Sequence, residues 1–298
     1  MTRSSTPRVS IGVPVYNGER FLGHALESLL AQTFGDFELV ISDNASTDLT
    51  EEIARSFADA DERVTYVRSA ENLGAAGNFK KVFHLTSGRY FKWAAHDDLC
   101  EPEFLERCVE VLDGHHSTVL CYTRMMRLTP EGSPFRPITE TLDVSSPNPA
   151  RRFAKMIHAT WCLPVFGLIR RDALLQTSVM GSYMGADHVV LTELAIHGRF
   201  FEVPELLFGC RKHPGKYSHT KSRRTQREWW DPARNQSVAF DKWRKMKEHA
   251  ASVARSSLAS RQKLQCYGHV GAWALSNAKP LAGDVVRAVG TSVRSRSA

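Results

Sequence analysis

The alternation of strand and helix patterns over the first 125 residues constrains the fold most strongly. β-branched or aromatic runs at 8–16, 37–42, 63–69, 90–95 and 117–126 predict strands. The stretches between them carry apolar residues at helical spacing, or start and stop signals such as Pro102 and Gly88. In one of them, Asp48 precedes Glu51 by three residues, which predicts a capping box. Strands separated by helices are typical of a largely parallel sheet with helices on both faces, so we predict the α/β class.

Polar clusters follow the first four predicted strands. They are YNGE at 16–19, SDNAS at 42–46, ENLG at 71–74 and HDD at 96–98. The carboxyl ends of neighbouring parallel strands meet at one edge of a sheet, and ligands of such sheets bind there. We therefore expect these four clusters to line one binding site.

The cluster His96-Asp97-Asp98 is the most informative of the four. Two adjacent carboxylates repel each other and need a cation, and Mg²⁺ or Mn²⁺ typically binds one or two carboxylates together with substrate phosphates. This pattern suggests a metal ion that coordinates a diphosphate. The alternative is that Asp97 or Asp98 caps a helix that begins near Pro102.

Other phosphate-binding and catalytic patterns are absent from the sequence. It has no G-x-G-x-x-G, no G-x-x-x-x-G-K-[ST] and no G-x-S-x-G, which argues against a dinucleotide oxidoreductase, a P-loop enzyme and an α/β-hydrolase. The six cysteines are scattered without metal-ligand spacing, so we expect reduced thiols. Neither a long apolar run nor a signal peptide is evident, and we expect a cytoplasmic protein.

The signal changes after residue 126. Residues 128–149 are rich in Pro, Ser and Thr and predict a loop, 163–171 and 199–213 predict strands, and 187–198 predicts a helix between them. Residues 211–298 hold 19 Lys and Arg against 5 Asp and Glu, a net charge of +14, whereas the rest of the chain carries −7. Such a basic end suits anionic partners such as lipid headgroups, nucleic acid or a phosphorylated substrate, or is simply a solvated helical face.

Three blocks of the sequence together resemble glycosyltransferase family 2. They are VSIGVPVYNGERFLGHALESLLAQTFGDFELVISDNASTDLT, ENLGAAGNF and SGRYFKWAAHDD, and the similarity extends over about residues 8–215. The resemblance implies a GT-A fold at 1–215, with a nucleotide-sugar half at about 8–125 and an acceptor half at about 126–215. A basic, mainly helical extension would then occupy 216–298. It also implies sugar transfer from a nucleotide-sugar with inversion at the anomeric carbon.

The family's nucleotide-binding residues map onto individual positions of this chain. The residues after the first strand would line the nucleotide pocket, and Asp43 would contact the base, most familiar as uracil. Asn72, Gly74 and Asn78 match the middle block near the sugar or ribose, and Asp97 would face the ribose or the donor sugar. The residues predicted for the pocket after the first strand are Pro14, Tyr16, Asn17 and Glu19.

The family's metal motif falls on residues 96–98, with a histidine in place of the first carboxylate. The resemblance makes Asp98 the direct ligand of Mg²⁺ or Mn²⁺ and leaves the role of His96 open. His213 lies where some relatives place a further metal ligand. Because one carboxylate is missing, we expect a weak, exchangeable site.

The family's general base maps onto Asp187, which would take the proton of the acceptor hydroxyl. The plainer interpretation is that Asp187 caps the helix that follows, and the two roles are compatible. His188 is a rival base because it ionises nearer neutrality, and Glu193 lies further along the same helix.

The sequence thus predicts an inverting, metal-dependent glycosyltransferase of cell-envelope polysaccharide type. The donor would be a UDP-sugar, or a dTDP- or GDP-sugar, and the acceptor a glycan, a lipid-linked or a small-molecule hydroxyl. The alternatives are a nucleotidyltransferase and a non-catalytic module whose basic end binds a membrane or nucleic acid. Arginines beside Trp229 and Trp230 suit a membrane interface at least as well as nucleic acid. We expect peripheral membrane contact through this region.

Overall fold

The computed structural model describes residues 6–216, 222–232 and 240–294. Within these residues, one mixed sheet holds nine strands in the order β3-β2-β1-β4-β8-β6-β9-β5, with β7 paired to β6. None of the helices described there has the length and apolar character to cross a membrane. The strands are β1 Val9–Val15, β2 Phe37–Asp43, β3 Val64–Arg68, β4 Tyr90–Trp93, β5 Leu99–Cys100, β6 Thr118–Leu128, β7 Pro134–Ile138, β8 Leu168–Arg170 and β9 Arg199–Arg211.

Helices cover the sheet and continue beyond it. The first four alternate with the strands of the N-terminal half, and the last four belong to the basic extension. The helices are α1 Leu22–Leu30, α2 Thr50–Ala60, α3 Gly74–His84, α4 Phe104–Gly114, α5 Pro149–Ile157, α6 Arg171–Leu175, α7 Ala186–His197, α8 Arg223–Trp230, α9 Asp241–Arg255, α10 Ser260–Ser276 and α11 Ala278–Arg294.

The N-terminal half is the parallel α/β unit that the alternation predicted. β1 pairs in parallel with β2 and β4, and β2 pairs in parallel with β3. All seven residues of β1 are buried, as expected for a central strand that is covered on both faces. The carboxyl ends of β1, β2, β3 and β4 therefore lie along one edge, which confirms the α/β class and places the four polar clusters together.

The C-terminal half of the sheet mixes directions. β8 runs antiparallel to both β4 and β6, β9 is parallel to β6, and β5 is antiparallel to β9. The pairing of β5 with β9 brings the chain just after the His-Asp-Asp cluster beside the end of β9. It thereby joins the two halves at the predicted site.

Several local predictions differ from the structure. The predicted loop at 128–149 contains β7, which forms a hairpin with β6, and residues 163–166 form a 3₁₀ turn before the short β8. Helix α2 begins at Thr50, and its N-cap Leu49 makes no side-chain hydrogen bond. The capping box was wrong because Asp48 Oδ1 accepts from Thr50 N and Oγ1, while Glu51 accepts from Arg55.

The helices of the predicted extension pack on the part of the chain that was predicted to be the acceptor half. α9 contacts α7, and α10 contacts α5. A second hydrophobic cluster crosses this boundary, because it combines Phe153 and Ile196 with Val253 and Trp273. These buried side chains pack the extension against α7, the helix that carries Asp187.

The basic aromatic segment is only partly a surface. Trp230 is buried against α3, where a Cβ at Gly74 would lie 2.6 Å from its carbonyl oxygen, and Trp229 is 39% exposed. Arg227 pairs with Asp241, whose side chain is largely buried. Residues 217–221, 233–239 and 295–298, which belong to the predicted basic extension, lie outside the described part of the chain. Trp230 therefore does not belong to an exposed aromatic surface.

Candidate active site

The two carboxylates that follow β4 lie in the interior. Asp97 and Asp98 are 6% and 5% exposed. They do not cap a helix, because the N-cap of α4 is Glu103 and β5 intervenes. Their alternative role as helix caps is excluded, and burying two charges at this point requires cationic partners.

The chain at the end of β9 supplies those partners. Lys216 Nζ donates to Asp98 Oδ1 at 2.6 Å and lies 3.3 Å from Asp97 Oδ2. His213 Nε2 is 2.9 Å from Asp97 Oδ2. Arg211 donates its backbone N–H to Asp98 Oδ1 at 2.9 Å and its Nε–H to the carbonyl of Asp97 at 2.8 Å. The cluster is therefore a buried network of two carboxylates, an imidazole and an ammonium.

The pKa values of the cluster move in opposite directions. Burial and the neighbouring charge of Asp97 raise the pKa of Asp98. Burial opposes ionisation of Asp97 too, but the hydrogen bond to His213 and the charge of Lys216 outweigh it, so the pKa of Asp97 is lowered. Burial alone would lower the pKa of Lys216, yet the charges of Asp98 and Asp97 raise it. Lys216 thus stays an ammonium, because the positive charge stabilises the two adjacent carboxylates.

The residues of this cluster fit a divalent cation. Asp98 Oδ2 is buried and has no hydrogen-bond partner within the described residues. Carboxylate oxygen is the ligand that Mg²⁺ and Mn²⁺ prefer, and His213 could add an imidazole nitrogen. No group of three or more His, Cys, Asp and Glu suited to a metal occurs in the described ranges, so protein ligands alone would hold such an ion weakly.

His96 packs against the loop after β1. A Cβ at Gly18 would lie 2.9 Å from the ring Cδ2 of His96, so glycine is needed there to admit the imidazole. Burial lowers the pKa of His96, which keeps the ring neutral at neutral pH. The unusual residue of the metal motif thus joins the β4 end of the site to the β1 end.

The loop after β1 is held by the loop after β2. Asn17 adopts φ of 49° and donates its backbone N–H to Ser46 Oγ, while its side-chain oxygen accepts from Thr47 N. Glu19 accepts from Leu49 N at 3.0 Å. Pro14 is buried within β1 and Tyr16 is 40% exposed. Tyr16, Asn17 and Glu19 are all exposed, and Tyr16 adds an aromatic ring that a ligand could contact.

Asp43, at the end of β2, is fully buried. Its Oδ2 accepts from Tyr66 Oη at 2.8 Å and from Arg68 at 2.7 Å, and its Oδ1 accepts from Ser46 N. Burial and the bond to Asp43 raise the pKa of Tyr66 to about 12, so the phenol remains a donor. Because both oxygens are engaged, this arrangement does not favour the predicted direct contact of Asp43 with a base. The ion-pair partner of Asp43, the half-exposed Arg68, is the group that a ligand at this edge could contact.

The two asparagines of the middle block have structural partners. Asn72 Oδ1 accepts from Asn44 Nδ2 and Gly74 N, both at 2.8 Å, which fixes the turn before α3. Asn78 is 2% exposed, and its amide bonds to the side chain and carbonyl of Ser42 and to the carbonyl of Val15. The predicted donor contact of Asn78 is not favoured, because its amide ties β1 to β2. Asn72, in contrast, is exposed.

Asp187 lies in the first turn of α7. Gly185 is the N-cap, with φ of 84°, so the predicted N-cap role of Asp187 was wrong. Its Oδ1 accepts from His188 N and its Oδ2 accepts from Cys162 Sγ at 2.9 Å. The end of Lys245 lies within 3.9 Å of a Cβ built at Gly185, and burial lowers the pKa of Lys245 to about 8. Asp187 is therefore a half-buried carboxylate that contacts the Cys162 thiol and lies near the Lys245 side chain.

The two rivals of Asp187 are unsuited to act as the base. Burial lowers the pKa of His188 to about 3, and its Nε2 lies 3.0 Å from the carbonyl of Ala159. Glu193 is buried and accepts from Ser178, Ser252 and Arg255. Its carboxylate therefore connects α7 to α9.

A cavity of about 480 Å³ opens beside the acceptor half, between β6, β7 and β9. Trp161 contributes to its wall and directly precedes Cys162, the partner of Asp187. The size is within the range of small-molecule sites. One wall residue of the cavity is thus adjacent in sequence to the hydrogen-bond partner of the candidate base.

Sequence reasoning missed Lys216, Arg211 and Cys162. A lysine or arginine near the end of a strand carries no motif, and only the pairing of β5 with β9 brings them to the carboxylates. The available signal was the charge imbalance, since two buried carboxylates demand cations and the basic region begins at residue 211.

The family model for glycosyl transferase family 2 matches residues 10–177. The chain belongs to this family. An uncharacterized glycosyltransferase of Rickettsia typhi is 36% identical over 108 residues, which is 36% of this chain and 33% of that protein. The putative glycosyltransferase EpsE of Bacillus subtilis is 32% identical over 124 residues, or 41% and 45% of the two chains. The aligned region therefore spans a third to a half of these curated relatives.

Solved structures resemble the fold over a larger part of the chain. TarS 1-349 of S. aureus in complex with UDP-GlcNAc has a TM-score of 0.67 at 20% identity, covering 90% of this chain and 73% of that one. The mannosyltransferase PcManGT of Pyrobaculum calidifontis, in complex with GDP-Man and Mn²⁺, has a TM-score of 0.54 at 17% identity, covering 97% and 81%. These likenesses establish the GT-A-like α/β fold.

Proposed function

We propose that this protein transfers a sugar from a nucleotide-diphosphate sugar to an acceptor hydroxyl with inversion at the anomeric carbon. The observation that carries the proposal is the buried Asp97–Asp98 pair at the carboxyl end of β4, on the edge where β1, β2 and β3 also end. A nucleoside diphosphate bound along that edge would bring its phosphates to the pair.

Tyr16, Arg68 and Asn72 are the residues that we propose for the nucleotide. Tyr16 offers an exposed ring and Arg68 a half-exposed guanidinium, while Asn72 lies in the turn that follows β3, a strand that ends at the same edge. We favour a UDP-sugar as donor, since TarS is described with UDP and with UDP-GlcNAc, although PcManGT is described with GDP-Man. Screening several donors is therefore part of the test.

Asp98 and His213 would hold a divalent cation, with Asp97 beside them. When bound, Mg²⁺ or Mn²⁺ would stabilise the negative charge that develops on the departing diphosphate. Asp98 offers its buried Oδ2, and His213 keeps its ring in place through Asp97. The metal of the PcManGT complex is consistent with such a site in the fold.

Asp187 is the base that we propose for the acceptor. The acceptor oxygen forms a bond to the anomeric carbon as the bond from that carbon to the diphosphate oxygen breaks, and Asp187 takes the hydroxyl proton. The products are the glycosylated acceptor and free nucleoside diphosphate. Cys162 and the backbone of His188 orient the carboxylate for this step.

The test needs no identified acceptor, because water can replace it slowly. We would screen UDP-glucose, UDP-GlcNAc, dTDP-glucose and GDP-mannose with Mn²⁺ by thermal shift, since a ligand that binds the native state raises its Tm. Release of nucleoside diphosphate from the donor found in this way then reports turnover. The chemical nature of the product also separates sugar transfer from nucleotidyl transfer.

Two variants test the assigned roles. We expect Asp98→Asn to lose both the thermal shift and the release of diphosphate. Asp187→Asn should keep the shift but release diphosphate roughly 10²–10⁴-fold more slowly, which is the usual contribution of a general base. Asp59→Asn, on the exposed end of α2, is the matched control. Near-normal release by both Asp98→Asn and Asp187→Asn would refute the mechanism.

A further inference from the structure

We propose that Lys216 is a built-in counter-ion of the Asp97–Asp98 pair and competes with the divalent cation for Asp98. The inference concerns how this chain tunes its metal site, and it rests on the metal-binding part of the proposed function. A lysine ammonium is not a ligand for a divalent cation, so Lys216 would repel the ion instead of holding it.

The contacts of Lys216 are those of a counter-ion. Its Nζ lies 2.6 Å from Asp98 Oδ1 and 3.3 Å from Asp97 Oδ2, and its side chain is only 17% exposed. It thus bridges both carboxylates, as a cation between them would. In contrast, Asp98 Oδ2 is buried without a partner within the described residues, which marks an acceptor position that the lysine does not fill.

Occupation by a divalent cation conflicts with this bridge. Asp98 Oδ1 already accepts from both Lys216 Nζ and Arg211 N, so a metal at this carboxylate would meet an ammonium a few ångströms away. Like charges at such a distance repel strongly in a site that excludes water. Binding of the metal therefore requires the ammonium to move away.

The turn at 213–216 allows that movement. Lys216 N donates to His213 O at 3.1 Å, which closes the turn through the backbone. The lysine head is carried by four methylene groups and can swing while this backbone bond persists. The imidazole of His213 can therefore stay beside Asp97 as Lys216 leaves, and the same short turn carries a candidate metal ligand and its competitor.

Titration with Mn²⁺, followed by electron paramagnetic resonance of the free ion, tests the competition directly. We expect Lys216→Met to bind Mn²⁺ with a Kd at least about tenfold lower than the wild type, since the competing charge is gone. Lys212→Met is the matched control, because no hydrogen bond joins the Lys212 side chain to either carboxylate, and its Kd should equal that of the wild type. An unchanged or higher Kd for Lys216→Met overturns the proposal.

A second measurement covers the metal-free protein. Without metal, Lys216→Met leaves two buried carboxylates without their ammonium, so its Tm in EDTA should fall below that of the wild type, and excess Mn²⁺ should restore it. If Lys216→Met does not fold, Lys216→Gln serves in its place. If neither wild type nor variant binds Mn²⁺, the competition and the metal assignment both fail. Diphosphate release in EDTA then shows separately whether sugar transfer survives.

Discussion

Replacement of His249 by leucine should make the protein less sensitive to acid. His249 lies in α9, is fully buried, and neither of its ring nitrogens meets a hydrogen-bond partner in the described part of the chain. Its ring packs against His188, Phe153 and Trp273, at the boundary where the extension covers the acceptor half. Such a site cannot accept a proton without placing a charge in an apolar interior.

The size of the effect follows from the pKa values. Burial lowers the pKa of His249 well below its usual value and that of His188 to about 3, whereas unfolded histidine titrates near 6.5, roughly its model-peptide value. Below pH 6.5 these histidines are therefore protonated in the unfolded chain but remain neutral in the folded chain, so the free energy of unfolding falls as the pH falls. Between pH 7.5 and 5.5 each such histidine costs about 1.4 kcal/mol of the free energy of unfolding.

Urea denaturation at pH 7.5 and 5.5, followed by tryptophan fluorescence, measures the effect. The variant should gain about 1.4 kcal/mol relative to the wild type between the two pH values, because one of the two neutral imidazoles is gone. Any packing change from leucine contributes equally at both pH values and cancels in this comparison. At pH 7.5 alone, loss of an imidazole without partners should be neutral or stabilising.

The control is His24→Leu, since His24 is exposed on α1 and its removal takes no imidazole out of the interior. This variant should therefore lack the reduced acid sensitivity that we expect of His249→Leu. A pH-independent difference for His249→Leu would refute the reasoning, because it would mean that the folded protein protonates the buried ring without cost.

Two further predictions concern other parts of the fold. Gly74→Ala should destabilise the protein by roughly 2–4 kcal/mol in urea denaturation, because residue 74 has φ of 72° and a Cβ would lie 2.6 Å from the Trp230 backbone. Gly23→Ala, which has open space around it, should instead stabilise the protein by about 0.5–1 kcal/mol. Equal effects of the two substitutions would contradict this reasoning. If the basic extension contacts membranes, the protein should sediment with anionic but not with neutral vesicles. The double variant Leu264→Ser, Leu275→Ser replaces side chains that are 73% and 79% exposed on α10, and it should weaken this sedimentation. Vesicle binding that the double variant leaves unchanged, or binding only to nucleic acid, would count against this surface.

The sequence predicted the N-terminal half of the fold well because its signals are local. Each strand there is a short β-branched or aromatic run next to a helix with its own periodicity, and parallel pairing follows from the crossovers. The polar clusters could be placed at one edge by the same logic. The antiparallel β5 and β8 are short, and their pairing with β9 and β4 depends on contacts distant in sequence that no local pattern contains. β7 forms a local hairpin with β6, but its Pro-rich sequence predicted a loop.

Residue roles were harder to predict than residue positions. Asp43 and Asn78 lie where the pattern placed them, but their polar atoms are taken by neighbours such as Tyr66 and Ser42. A motif records which residue type stands at a position, and the hydrogen-bond partners decide whether that residue faces a ligand. Asp98 differs, because one of its buried oxygens has no partner in the described chain.

The segment that matches the family model is not the whole candidate site. The match ends at residue 177, before the candidate base Asp187 and before His213 and Lys216. Helix α7, which carries Asp187, is buried around nearly its full circumference, and a helix that is buried on every side needs cover on every side. α9 supplies part of that cover, through Glu193 bonded to Ser252 and Arg255. The basic extension therefore belongs to the support of the acceptor half, and a chain cut at residue 216 would expose the helix on which turnover is proposed to depend.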